Sequence, residues 1–173
     1  MSFKKIVLLL LLAALVFTIG ACKKKEPEPL VLDLFAPEEA LAPVLGVVEL
    51  YRSVDPDIAV RVTLDDGTMI AEKLLSGYTC DIIIDFTEIM DQIDGSKEAD
   101  LNPQGYSCID SESRTDVFKG PGDPDSGEEG PVVYSIALAK NSKHAEEAQA
   151  LADFFVSERC NVIYEECDFS GIE

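Results

Sequence analysis

The chain lacks the parts that acid–base chemistry needs. It has one histidine, His144, and no nucleophile patterned beside it, so triad and general-base catalysis have nothing to work with. A structural zinc site is as poorly served, with no CxxC and that single histidine. No metal site, no cofactor and no enzyme is implied. Basic residues are scarce: 14 Lys and Arg stand against 33 Asp and Glu, a net charge of −19. Such an acidic body repels phosphate backbones, which argues against a nucleic-acid partner. No segment repeats. The longest apolar run, of about 16 residues, is short of the roughly 20 that cross a bilayer.

That run is nevertheless informative. Lys4 and Lys5 precede it, and Ile19-Gly20-Ala21 lead from its end into Cys22. A basic start, an apolar middle and small residues before a cut form a secretory signal peptide. The cysteine directly after Ile-Gly-Ala resembles the lipobox of bacterial lipoproteins. That resemblance implies removal of residues 1–21 and lipidation of Cys22, leaving a lipid-anchored, extracytoplasmic protein at the cell surface or in the periplasm. Two or more acyl chains give a stable anchor. Residues 22–29 then read as a tether. Lys23, Lys24 and Lys25 rest against anionic headgroups, and Glu26-Pro27-Glu28-Pro29 is a short stiff spacer.

Four further cysteines remain: Cys80, Cys108, Cys160 and Cys167. An even number in an exported chain suggests two disulfides, with three possible pairings. Nearness in sequence favours Cys80 with Cys108 and Cys160 with Cys167.

Residues 30–173 read as one α/β domain. Residues 30–35, 58–64 and 80–84 are short apolar or β-branched runs, the marks of buried strands. A helix opens at Pro37 with Glu38 and Glu39 in its first turn, and Leu41, Val44, Leu45, Val48 and Tyr51 give it an apolar stripe. Thr68 can cap a helix that Gly77 ends, and Thr87 another that runs to Ile93. Residues 95–131 show no sustained periodicity and read as an irregular acidic insertion, with a short strand near 106–109. A fourth strand follows over 132–140. Ser142 caps a helix carrying Ala145, Ala148, Leu151, Ala152 and Phe155, and Ser157 caps a last short one. Strands alternating with helices predict a three-layer, doubly wound, mostly parallel sheet. Such sheets bind ligands beyond the carboxyl ends of their strands.

Residues 32–41 (Leu-Asp-Leu-Phe-Ala-Pro-Glu-Glu-Ala-Leu) resemble the opening of the molybdate-binding class of bacterial extracellular solute-binding proteins. Residues 66–77 resemble that class's second-loop helix, and Cys80-Asp81-Ile82-Ile83-Ile84 its third strand. Residues 133–143 resemble its returning strand, and 148–155, 157–158 and 162–169 its closing helices. The resemblance implies a class II periplasmic-binding-protein lobe that serves an ABC permease and takes an oxyanion at helix N-termini. Members have two lobes. Residues 95–131 are too few for a second one, so this chain reads as one lobe, shortened relative to its class.

The candidate ligand residues are Pro37, Glu38, Glu39, Asp66, Gly67, Thr68, Asp85 and Tyr134. Their own chemistry departs from the class. Proline removes a backbone donor, and Glu38, Glu39, Asp65 and Asp66 oppose an anion by several kcal/mol where partly desolvated. By charge, a cation or a positively charged organic molecule fits better. Bland readings stand beside these. Glu38 and Glu39 complement a helix dipole; Asp85 caps a helix; Tyr134 and Phe86 are core aromatics; His144 is a surface residue. Asp123, Asp125, Ser126 and Glu128 lack the spacing of an EF-hand and read as a solvated loop. The second functional reading is a non-transport interaction lipoprotein that keeps one binding-protein lobe as a scaffold.

Overall fold

Apolar runs become strands where their alternate residues find cover on both sides. In the computed structural model, which describes residues 29–95, 105–121 and 131–172, Leu30–Pro37 (β1) pairs in parallel with Ile58–Asp65 (β2). It pairs in parallel on its other side with Ile82–Phe86 (β3). The next strand in space is Pro131–Leu138 (β5), antiparallel to β3. Thr115–Pro121 (β4) and Ser170–Gly171 (β6) complete a six-stranded mixed sheet in the order β2-β1-β3-β5-β4-β6.

Helices cover both faces. Leu41–Val54 (α1), Ala145–Phe155 (α4) and Asn161–Glu166 (α5) lie on one. Their Val44, Val47, Tyr51, Leu151, Phe155 and Tyr164 meet Leu32, Leu34, Ile82, Ile84 and Ile136 of the sheet. Gly67–Leu75 (α2) and Thr87–Ile93 (α3) cover the other face, where Ile70, Leu74, Met90 and Ile93 pack on Phe35, Ile83 and Ala137. Each large aliphatic side chain fully buried here contributes up to about 1.5–3 kcal/mol. This is the three-layer α/β lobe that the sequence predicts.

The differences have physical causes. The sheet is parallel only on the β2-β1-β3 side. The far side is antiparallel because β4, within the stretch read as irregular, forms a hairpin with β5. Thr115, Asp116 and Lys119 of β4 are exposed while Val117 and Phe118 are buried, so a bulge at 116–118 interrupts the alternation that marks a strand. The short strand expected near 106–109 is reduced to two bridges, Asp94 with Ser107 and Ile109 with Ala139. The stripe of α1 is out of phase. Pro43, Val44, Val47 and Tyr51 are buried, whereas Leu41 and Leu45 are exposed. A turn of 3₁₀ helix, Glu38–Ala40, precedes α1 and rotates it.

The cysteines also need correction. All four are free thiols. Cys160 and Cys167 sit at the two ends of α5, about 10 Å apart by helical rise, too far for a disulfide. Cys80 and Cys108 lie together against the core under α2 and α3. Burial pushes the Cys80 thiol up to about 12. Residues 1–28, with Cys22 and the tether, and the acids at 123–128 lie outside the described residues.

Candidate functional site

Pairing register brings a row of polar side chains to one end of the sheet. Pro37 stands beside Asp65, Asp85 beside Ser135, and Ser135 beside Asp116. Residues paired across neighbouring strands share a face, here the one covered by α2 and α3. The carboxyl ends of β1, β2 and β3 meet at this edge, where the 3₁₀ turn, α2 and α3 begin. Seven of the eight candidates therefore gather around those strand ends. Tyr134 does not join them. It points to the opposite face, fully buried, with Phe86 at 4.7 Å and Phe118 at 5.0 Å between ring centroids.

The start of α2 is already satisfied. Asp66, not Thr68, caps it, accepting from the backbone N–H of Thr68 at 2.8 Å and of Met69 at 3.4 Å. Donors that an oxyanion would use are thus occupied by the chain's own carboxylate. Thr68 and Glu38 are exposed. Asp65 is ion-paired with Lys73, whose hydrogen bond holds that carboxyl below its ordinary value.

Asp85 is the unusual member. It is fully buried, and among the described residues its Oδ1 accepts only from the following backbone N–H, Phe86 at 2.8 Å. Its Oδ2 has no partner among the described residues, and neither does the buried Oε2 of half-buried Glu39. Burial raises Asp85 to about 8, and the charges of Asp66 and Glu39 add to the rise. Gly67 explains how the carboxyl fits. A Cβ there would stand 2.4 Å from Asp85 Oδ1, so only glycine lets α2 begin against it. Asp85 is not the cap of α3, which has none from a side chain.

Three participants were not evident from sequence. Ser135, fully buried, donates to Asp116 Oδ1 at 2.9 Å and lies 2.9 Å from the Thr87 hydroxyl. Thr87 in turn donates to the Val133 carbonyl at 3.1 Å. One signal was available: Ser135 is the lone small hydroxyl residue inside an apolar strand. His144 precedes α4 and gives no side-chain cap. Two surface hollows, of about 410 and 370 Å³, lie beside the start of β2 and beside β6, and share no residue with the site. No group of three metal-ligating side chains converges among the described residues.

No protein-family model and no curated protein matches the chain. Solved structures do. The substrate-binding domain assigned to a molybdenum ABC transporter in Clostridium difficile superposes with a TM-score of 0.66 at 14% identity, over 83% of this chain and 100% of that one. The periplasmic molybdate-binding protein of Azotobacter vinelandii gives 0.65 at 8%, over 82% and 100%. The sulfate-binding protein SubI of Mycobacterium tuberculosis gives 0.56 at 8%, over 83% and 88%. The chain has the fold of a molybdate-binding-type periplasmic binding protein.

Proposed function

We propose that this chain is a lipid-anchored extracytoplasmic solute-binding protein of an ABC importer, shortened to about one lobe. One observation carries the reading. At the strand ends, where open α/β sheets take their ligands, two buried side-chain oxygens, Glu39 Oε2 and Asp85 Oδ2, lack partners among the described residues. A buried polar atom left unpaired costs about 1–3 kcal/mol, and a bound solute would supply the partner. The structural neighbours support the same role, being substrate-binding, molybdate-binding and sulfate-binding proteins. The anchor is Cys22, with residues 1–21 removed. The small-molecule or ion ligand is handed to a membrane permease.

The scaffold reading has its own support. Asp66 already fills the donors of α2, and neither described hollow opens on the site. A thermal-unfolding screen separates the two. A solute at one hundred times its dissociation constant adds about 2.7 kcal/mol. A shift with some class of anion, cation, amino acid or sugar supports transport. No shift with any of them leaves the scaffold. Radiolabelled palmitate incorporated by the wild type, but not by Cys22→Ser, tests the anchor.

A further inference from the structure

We propose that the solute is an organic cation, an ammonium or guanidinium compound, whose N–H groups donate to Asp85 Oδ2 and Glu39 Oε2. The inference rests on the solute-binding reading and narrows it to a chemical class. The carboxylates are graded inward: Asp66 and Glu38 exposed, Glu39 half-buried, Asp85 fully buried. The exposed acidic rim attracts positive charge, and the unpartnered carboxyl beneath it becomes an ion-pair partner once its proton leaves. The turn that carries Glu39 has no side-chain cap.

The two other ligand classes fit less well. A metal ion wants several oxygens converging at about 2.0–2.6 Å, and no such group exists among the described residues. An oxyanion meets Glu39, Asp66 and Asp85 with the α2 donors already taken by Asp66. A guanidinium instead offers a rigid fork of donors, and an ammonium three. Either serves two acceptors that come from different elements.

Binding of this kind is linked to protons. Asp85 holds its proton until about pH 8 in the free protein, so a cation displaces it. The groups around Asp85 leave that linkage in place. Glu39 faces it from the 3₁₀ turn and Asp66 from the cap of α2, both raising it. Asp65 is held by Lys73. Asp116 accepts from Ser135, the cross-strand neighbour of Asp85, and Glu88 of α3 is exposed.

The test is isothermal titration of the full mature chain with methylguanidinium, agmatine, molybdate and sulfate. Asp85→Asn and Glu39→Gln are titrated alongside, each checked for folding by circular dichroism. Paired buffers of different ionisation enthalpy read the proton count. The expected result is binding of the two cations, release of close to one proton at pH 7, and an affinity at least tenfold weaker in each variant. Cation binding that both variants leave unchanged overturns the assignment while solute binding stands. Molybdate or sulfate binding without cation binding does the same. If none of the four probes binds, the cation assignment falls. The solute-binding reading falls with it only if the wider thermal screen is also silent.

Discussion

Replacing Asp85 with asparagine should reshape the pH dependence of stability. An ordinary aspartate titrates near 3.9, whereas burial lifts Asp85 to about 8. Between those values the native chain keeps a proton that the unfolded chain has lost. Stability then falls as pH rises, by up to about 1.4 kcal/mol per unit, and this group's contribution levels off above pH 8. Over the whole window this amounts to roughly 6 kcal/mol. Asparagine carries no charge to bury. Near pH 5 it should cost about 1 kcal/mol, because its amide finds no acceptor at the Oδ2 position. By pH 9 the variant should be the more stable protein. Urea unfolding of both chains from pH 5 to 9 measures the difference directly, since the other carboxylates are common to both. The two stability curves should cross. Parallel curves would refute the argument that Asp85 is a buried, proton-bearing acid.

Gly67→Ala should destabilise the fold by about 1–3 kcal/mol, read as a lower urea midpoint, because the new Cβ strikes Asp85 Oδ1. Asp81→Ala should cost about 2–4 kcal/mol in the same assay. It leaves the Asp33 N–H without the carboxylate it meets at 2.9 Å and the Ser142 hydroxyl without the one at 2.6 Å. Mass mapping of the exported protein without reductant should find Cys80, Cys108, Cys160 and Cys167 all as thiols. A linked Cys160–Cys167 peptide would contradict the extended α5 between them.

The parallel half of the sheet was legible because its strands are continuous apolar runs. Leu30–Pro37 and Ile82–Phe86 are covered on both faces, so hydrophobicity alone marked them. β4 escaped notice because its bulge places two buried residues side by side among polar ones. β6 is two residues long and exists only by pairing with β4. In the site, the strand-end acids were visible as residue types. What sequence could not give is depth. Asp85 and Asp66 look alike in one dimension, yet one is the sealed floor and the other an exposed cap. Tyr134 was misplaced for a related reason, since neighbours along a strand face opposite sides of the sheet. Ser135 sits over α3 while Tyr134 stacks on Phe86.

The most direct measurement is a carbon-detected NMR titration of the Asp85 side-chain carboxyl, alone and with saturating methylguanidinium. The account predicts a midpoint near pH 8 in the free protein, falling by more than one unit when the cation is bound. A midpoint near the ordinary aspartate value in the free protein, or one that the bound cation leaves unmoved, would contradict it.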